Sequence, residues 1–241
     1  MSWLGKILGG GLGFVVGGPL GAILGAVVGH HAVDKNSFSE QEERQSLFFL
    51  ATFSMLGKLS KADGRVSTEE IEVVEQVMRD NLRLSPEARQ FAIEVFSAAK
   101  DSGDRFEDYA NQFYSEFRDY PEVLSSLVDL LLRLAHADGV MHPEELRMIE
   151  EAVRIFRIPK EYAQLKARYS GANDLQTCYE ILGAKEGESL AEIKKKYRRL
   201  AMDYHPDRVA SQGVSPELAA VSEDRFKEIQ HAFDVIERHH S

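Results

Sequence analysis

The stretch that decides the C-terminal fold is residues 197–207, Tyr-Arg-Arg-Leu-Ala-Met-Asp-Tyr-His-Pro-Asp. It ends a run of apolar residues that share one face of a helix: Ile193, Tyr197, Leu200, Ala201 and Tyr204. Ser189-Leu-Ala-Glu192 is a capping box that predicts the start of this helix. After the tripeptide His205-Pro206-Asp207, a second apolar stripe predicts a final helix: Phe226, Ile229, Ala232, Phe233 and Ile236. The pattern predicts a hairpin of two antiparallel helices with the tripeptide at their turn.

The remaining faces of the first helix are basic and carry Lys194, Lys195, Lys196, Arg198 and Arg199. Clustered cations can steer an acidic partner toward the helix despite the negative charge of the whole chain. In the tripeptide, Pro206 restricts φ and pre-orders the loop, which lowers the entropy lost on binding. Asp207 can accept charge-assisted hydrogen bonds from an arginine. The alternative interpretation is a solvated helix face, with His205 closing the loop through a hydrogen bond.

Together with Tyr179-Glu-Ile-Leu-Gly183 upstream, these blocks resemble the J-domain of the DnaJ family over residues 176–238. The resemblance implies a domain that docks on a DnaK-type chaperone in its ATP state and promotes ATP hydrolysis by that partner. The chaperone-binding residues that it implies are His205, Pro206, Asp207, Lys194, Lys195, Arg198 and Arg199. No catalytic residue or cofactor is expected in this chain, because the hydrolysed ATP belongs to the partner. The chain departs from the pattern at Arg208-Val209, where Lys-Asn is frequent, and in a longer segment over 210–218.

Near the N-terminus, residues 7–29 form a stretch of 23 residues without a charge, which matches the ~20 apolar residues that span a bilayer as a helix. Glycine recurs there at every fourth position, which leaves a ridge without side chains where a second helix can approach closely. The residues predicted for this helix packing are Gly9, Gly13, Gly17, Gly21 and Gly25. The sequence therefore predicts a transmembrane anchor over 1–35 that pairs to form a homodimer.

The free energy of inserting this stretch is small. Its eleven Leu, Ile, Val and Phe residues supply about −3 to −7 kcal/mol. Its nine glycines each cost ~0.8–1 kcal/mol of helix propensity in water. Helix pairing is therefore expected to add to insertion. The alternatives are a flexible glycine-rich tail and two short helices that are broken at Gly18-Pro19.

Between the anchor and the hairpin, the sequence predicts a polar hinge over 36–46, a helical domain over 47–169 and a linker over 170–175. Apolar residues recur at helical spacing, and nothing between residues 40 and 170 resembles a β-strand. Residues 56–79 align with residues 131–154, with nine of 24 positions identical. Each copy carries Ala-Asp-Gly and then a Glu-Glu pair, which indicates a helix, a turn and a second helix. These paired turns resemble the TerB-like domain, an all-helical fold linked to stress and tellurite resistance.

The acidic turns are also candidates for a metal site. An ordinary EF-hand is not expected, because its first and third ligand positions would be Leu59 and Lys61 in the first copy. Candidate ligands for one ion shared between the two turns are Asp63, Glu70, Asp138 and Glu145. A structural role explains the same residues, since glycine ends one helix and glutamates favour the start of the next. No metal is therefore predicted.

Composition and charge exclude several functional classes. The net charge of −10 argues against a nucleic-acid partner, which requires a basic footprint. No phosphate-binding glycine loop or nucleophile–base constellation is visible, so an enzyme is not expected. Cys178 is the only cysteine, which rules out an intrachain disulfide and fits a reducing cytosol.

The order of anchor, TerB-like domain and J-domain over 176–241 resembles the membrane-anchored co-chaperones of the DjlA family. It implies an all-α, single-pass protein of the bacterial inner membrane with both domains in the cytoplasm. The expected function is a co-chaperone that stimulates a DnaK-type ATPase, with the TerB-like domain recognising clients or partners. The alternative is a TerB-type envelope-stress or metal-sensing protein with an accessory J-domain.

Overall fold

The computed structural model describes residues 3–8, 17–28, 38–61, 72, 74–136, 142–169, 175–216 and 219–240. Within these ranges the chain is helical apart from short connections, and they contain no strand, so the predicted all-α class is confirmed. The helices are α1 (Trp3–Leu8), α2 (Gly18–Val28), α3 (Glu40–Leu59), α4 (Pro86–Asp101), α5 (Phe106–Phe117), α6 (Pro121–Ala135), α7 (Pro143–Phe156), α8 (Pro159–Tyr169), α9 (Leu175–Ile181), α10 (Leu190–Asp203), α11 (Pro206–Gln212) and α12 (Ala219–His240). A π-helical turn, Val77–Asn81, precedes α4. Helices α3 to α8 form the central bundle, and α9 to α12 form the C-terminal unit.

Serine caps the starts of α4 and α10, and the second of these starts confirms the prediction from the sequence. The Ser85 hydroxyl accepts a hydrogen bond from the Ala88 amide over 3.2 Å, and Pro86 occupies the first helical position of α4. At the start of α10, the Ser189 amide donates to the Glu192 carboxylate over 3.0 Å, and the Ser189 hydroxyl accepts from the Glu192 amide over 3.3 Å. These bonds satisfy amide groups that have no partner inside the helix.

Helix α3 runs through the centre of the bundle and contacts α4, α5 and α6. It is buried on nearly all sides from Phe48 onward, which accounts for its almost continuous apolar sequence. Phe48 lies 5.8 Å from Phe113 of α5, and Phe49 stacks on Phe91 of α4 at 5.8 Å and 21°. Aromatic pairs in these offset arrangements bury large areas and help hold α4 and α5 against α3.

Helix α3 begins earlier than the sequence predicts. Residues 40–46, expected as part of the polar hinge, form its first turns because Ser39 and Glu42 make a capping box. The Ser39 amide donates to the Glu42 carboxylate over 2.8 Å, and Arg44 pairs with Glu40 one turn away at 2.7 Å. The charges that resemble a hinge in the sequence are therefore the charges of a capped helix start.

The N-terminal segment contains two helices, α1 and α2, in place of one continuous helix over 7–29. Gly17 is not helical, and Gly18 has φ +68°, a left-handed conformation that does not occur inside a right-handed helix. The interruption at Gly18-Pro19, one of the alternatives left open by the sequence, is therefore present. Within the described ranges no helix has both the length and the apolar character needed to cross a bilayer.

Both N-terminal helices lie against the central bundle: α1 contacts α3, and α2 contacts α3, α4 and α5. The side chains that they bury are Trp3, Leu4, Ile7, Leu20, Ile23 and Leu24. At ~1.5–3 kcal/mol for each large apolar side chain, this burial is worth roughly 9–18 kcal/mol before the entropy of ordering the segment is subtracted.

Candidate functional site

His205 of the tripeptide is the N-cap residue of helix α11. Its Nδ1 accepts a hydrogen bond from the Asp207 amide over 3.3 Å, so the imidazole caps the helix. Pro206 takes the first helical position, where no amide hydrogen is needed. The imidazole also lies edge-on to Phe226, with ring centroids 5.4 Å apart. The His205 side chain is 49% exposed and that of Asp207 95% exposed, so both can be reached by a partner.

Two of the five basic residues on α10 are engaged in contacts within the C-terminal unit. Lys194 lies 3.7 Å from Glu237 of α12. Lys196 pairs with Glu188 at 2.7 Å and donates to the Gly183 carbonyl over 2.8 Å. These two lysines therefore help hold α10 against its neighbours.

The other three basic residues of α10 share its outward face. Lys195 and Arg198 are exposed and make no ion pair with a described residue. The Arg199 side chain lies 3.5 Å from Asp203 but remains 82% exposed. Met202, one turn beyond Arg198, is exposed on the same face at 59%. This face, with Lys195, Arg198, Arg199 and Met202, is called the outward face of α10, and it leads directly to the tripeptide.

Helices α10 and α12 form the predicted antiparallel hairpin. Tyr197 stacks on Phe233, with centroids 4.3 Å apart and planes at 14°, while Tyr204 lies against Arg225 at 5.7 Å. The partners run in opposite order along the two helices, which defines the antiparallel pairing. The tripeptide is not at a simple turn, however, because it begins α11, which is inserted between the two long helices.

Helix α11 and the residues after it pack on the central bundle. Val209, Val214 and Val221 are buried in the apolar core of the bundle and not in that of the hairpin. Gly213 ends α11 with φ +119°, and a Cβ on it would lie 2.8 Å from the ring of Phe117 in α5. Both the backbone conformation and the space therefore require glycine at this position. The longer segment over 210–218 is thus a docking element in this chain.

A buried hydrogen bond joins the residue before the tripeptide to the bundle. The Tyr204 hydroxyl donates to the Ser125 hydroxyl in α6 over 3.1 Å. Burial raises the pKa of Tyr204, although the Arg225 guanidinium and the bond to Ser125 act in the opposite direction. The hydroxyl therefore keeps the proton that it donates.

Two arginines add polar contacts between the units. Arg208, directly after the tripeptide, lies 2.8 Å from Asp203 of α10 and 3.4 Å from Glu122 of α6. Arg133 of α6 pairs with Asp224 of α12 at 2.8 Å. The tripeptide is therefore held on both sides by residues that contact the central bundle.

A cleft of ≈ 780 Å³ separates α10 from α6 and α8. Its basic lining residues are Lys160, Lys196, Arg199 and Arg208. Its acidic lining residues are Asp119, Glu122, Glu161 and Asp203. The two sets balance, so the charges of the cleft favour neither an anionic nor a cationic ligand.

The metal hypothesis rests mostly on residues outside the described ranges: Asp63, Glu70 and Asp138. Glu145 is described, and its carboxylate accepts a hydrogen bond from the His142 amide over 3.1 Å at the start of α7. Glu145 therefore lies in the first turn of a helix, as the structural explanation from the sequence expects, and it also caps that turn. Among the described residues, no group of three His, Cys, Asp or Glu side chains could hold an ion.

Of the five glycines predicted for helix packing, Gly9 and Gly13 lie outside the described residues. Gly17 precedes α2, and within α2 Gly21 is half-buried while Gly25 is exposed. The buried residues of α2 face the central bundle, so the Gly25 side remains uncovered in this chain. Pairing through these glycines stays a prediction.

The contact between the C-terminal unit and the central bundle is not predicted by the helical periodicity of the sequence. The sequence features that point to this contact are the departures from the family pattern, namely Arg208-Val209 and the longer segment over 210–218. Arg208 contacts Glu122, and Val209 enters the core of the bundle. Tyr204 lies on the predicted hairpin face and also bonds to Ser125, and periodicity within one helix does not reveal such a partner in another domain.

Comparison with known proteins gives one consistent result along the chain. Family models match residues 1–59 to the co-chaperone DjlA transmembrane domain, residues 49–167 to the tellurite resistance protein TerB, and residues 177–241 to the DnaJ domain. The co-chaperone protein DjlA of Vibrio cholerae is 30% identical over 280 residues, which cover 99% of this chain and 98% of the relative. Those of Escherichia coli and Coxiella burnetii are 29% and 28% identical, each over 99% of this chain and 98% of the relative. No solved structure matches the chain. With its three domains in this order and its likeness running from end to end, the chain belongs to the DjlA family of J-domain co-chaperones.

Proposed function

We propose that this chain is a membrane-tethered co-chaperone whose J-domain docks on a DnaK-type chaperone and stimulates its ATP hydrolysis. The observation that carries the proposal is the exposure of His205 and Asp207 at the end of the outward face of α10. Three cations on that face and one carboxylate at its end form a single accessible surface.

The chemistry of this surface suits docking. Lys195, Arg198 and Arg199 would attract an acidic surface of the chaperone and raise the rate of encounter. Asp207 would accept charge-assisted hydrogen bonds from an arginine of the partner. His205 holds the loop in place through its cap on the Asp207 amide, so little entropy is lost on binding. The tripeptide moves no proton and forms no covalent bond in this mechanism, because ATP is bound and hydrolysed by the partner.

The central bundle, which is the TerB domain, is proposed to recognise clients or partners. This proposal is supported by the contacts that the bundle makes with residues on both sides of the tripeptide, through Ser125 and Glu122. A ligand bound to the bundle would be held next to the site that engages the chaperone, which raises its local concentration there.

The N-terminal segment is proposed to tether the chain as a single pass in the bacterial inner membrane, with the TerB domain and J-domain in the cytoplasm. The match of residues 1–59 to a transmembrane domain supports tethering. The orientation follows from the partner, because a DnaK-type ATPase works where ATP is present. The glycines at every fourth position support pairing into a homodimer.

The central experiment is single-turnover ATP hydrolysis by a DnaK-type chaperone in the presence of the full chain. Wild-type protein should accelerate hydrolysis, and His205→Gln should remove the acceleration because glutamine cannot reproduce the imidazole cap. His231→Gln is the matched control, since His231 is an exposed histidine on α12, away from the tripeptide. Equal acceleration by the wild type and His205→Gln would contradict the proposal.

Dimer formation is tested separately by crosslinking in membranes. Replacing Gly13, Gly17 and Gly21 together by Leu should reduce the crosslinked dimer, because leucine side chains keep two helices apart. Unchanged crosslinking would remove the pairing proposal and leave the co-chaperone proposal intact.

A further inference from the structure

We infer that the face of the central bundle formed by α3, α4 and α5 is a docking site for the chain's own N-terminal segment, and that the segment exchanges between this site and a lipid bilayer. The inference rests on the proposed function, since it requires that the segment enters membranes. It makes the anchor reversible and gives the TerB domain a second task, that of holding the anchor outside the bilayer.

The floor of the docking site is aromatic. The Trp3 ring lies 5.3 Å from Phe49 of α3 and 6.4 Å from Phe91 of α4, and the tryptophan is only 1% exposed. Leu20 and Ile23 of α2 are buried against the same bundle. Trp3 therefore packs against aromatic rings from two different helices, which is a specific contact.

Polar contacts hold both N-terminal helices. Gln112 of α5 accepts a hydrogen bond from the Leu20 amide over 3.0 Å and donates one to the Gly17 carbonyl over 2.6 Å. Lys6 pairs with Glu42 at 2.7 Å, with both side chains largely buried. The bundle thus satisfies the Leu20 amide, one of the amides at the start of α2 that have no partner within that helix.

The bond from the Leu20 amide to Gln112 exists only while the segment is broken. In a continuous helix the Leu20 amide would bond to the carbonyl four residues before it. That amide would then be occupied, and Gln112 would lose its donor. The docked segment and a membrane-spanning helix are therefore mutually exclusive states, and Gly18, with φ +68°, lies where they differ.

The uncovered face of α2 is compatible with lipid. Ala22, Gly25 and Ala26 are exposed in the docked state, and the stretch from Ile7 to Gly29 contains no charge. Since only small and apolar groups would have to enter the bilayer, the docked segment carries no group that prevents insertion.

Trp3 is the only tryptophan, so its fluorescence reports the position of the segment in the full chain. Acrylamide quenches tryptophan in water, and bromine-labelled acyl chains quench tryptophan in a bilayer. Without vesicles, Trp3 should be protected from acrylamide. With vesicles of phosphatidylethanolamine and phosphatidylglycerol that carry the label, a fraction of Trp3 should become quenched by lipid while the rest stays protected.

A glycine substitution separates the two states. Gly18→Ala is strained in the docked conformation, because alanine disfavours φ +68° and its Cβ would lie 2.9 Å from the Gln112 side-chain oxygen. The lipid-quenched to protected ratio should rise about tenfold. Gly103→Ala is the control, because Gly103 lies between α4 and α5, outside the N-terminal segment, and its Cβ would meet nothing within 4 Å, so docking is unaffected.

Three results would overturn the exchange. Free access of acrylamide to Trp3 without vesicles would show that the segment does not dock. Protection of Trp3 from both quenchers in the presence of vesicles would show that it does not insert, and would also contradict the proposed tether. Complete and equal lipid quenching in the wild type and both variants would contradict the exchange while leaving the tether intact. ATPase stimulation is measured independently of all three.

Discussion

The hydroxyl of Tyr204 donates a hydrogen bond to the hydroxyl of Ser125 over 3.1 Å, and both side chains are buried. Tyr204 is the residue directly before the tripeptide, and Ser125 belongs to α6 of the TerB domain. On the other side of the tripeptide, Arg208 reaches Glu122 of the same helix. The J-domain of this chain is therefore joined to the TerB domain at the two ends of its docking loop, which makes that interface the first target for mutation.

Tyr204→Phe should lower the free energy of unfolding of the full chain by about 1–2 kcal/mol, because the buried Ser125 hydroxyl loses its donor. Urea denaturation measures the change, and Ser125→Ala should have an effect of similar size. The double variant should be less destabilised than the sum of the two by ~1 kcal/mol, since both remove the same bond. Tyr114→Phe is a control for loss of a tyrosine hydroxyl elsewhere in the bundle. Strict additivity would mean that the hydrogen bond contributes nothing.

Gly213→Ala should lower the free energy of unfolding by roughly 2–5 kcal/mol. The left-handed backbone at φ +119° contributes strain of about 1–2 kcal/mol, and the new Cβ would also crowd Phe117 at 2.8 Å, which adds about 1–3 kcal/mol. Gly187→Ala isolates the backbone contribution, since Gly187 has φ +91° and nothing within 4 Å of its Cβ position. Comparable losses in the two variants would indicate that Gly213 does not lie tightly against the bundle.

Charge reversal on the outward face of α10 should weaken docking on the chaperone. Lys195→Glu with Arg198→Glu is expected to reduce stimulation of ATP hydrolysis roughly tenfold at low salt, and by less at 0.5 M salt, because exposed charges are screened there. Arg147→Glu is the control, since Arg147 is an exposed arginine on α7 of the TerB domain. If Arg147→Glu reduced stimulation equally, overall charge and not this face would be responsible.

Acidification should weaken docking of the N-terminal segment. Burial by itself raises the pKa of Glu42, but hydrogen bonds from Lys6 and Ser39 outweigh it and lower the pKa below its ordinary value. Of these bonds only the one from Lys6 depends on docking, and it favours the charged carboxylate in the docked state. A carboxyl whose pKa is lower in the docked state stabilises that state above its ordinary pKa and loses the effect as the pH falls through the lowered value. Access of acrylamide to Trp3 should therefore increase as the pH falls below about 4.5.

Glu42→Gln should remove this pH-dependent step, because the amide neither titrates nor pairs with Lys6 as a charge. Glu43→Gln changes a neighbouring glutamate of α3 and should leave the step in place. A step that persists in Glu42→Gln would assign the acid sensitivity to another group.

Local patterns in the sequence were sufficient to predict most of the C-terminal helices and the family. Ser189 and Glu192 predicted the start of α10, and the apolar spacing through Tyr197 predicted its packing on Phe233 of α12. Such features depend on neighbours within one or two turns of helix, and the intrinsic periods of the backbone make them visible in the sequence. The tripeptide and its basic helix were found in the same way.

Long-range packing decided the rest. Charge alone made residues 40–46 resemble a hinge, whereas Ser39 and the bundle make them the start of α3. No period in the sequence indicated that Val209 would enter the core of the TerB domain, or that Tyr204 would bond to Ser125. The uncharged N-terminal stretch is compatible with a bilayer and also with an apolar groove between helices, since both bury apolar surface. The sequence by itself thus determined the all-helical class and the apolar faces of most helices, but what each apolar face is buried against depends on residues far apart in the chain, and only the tertiary structure brings those together.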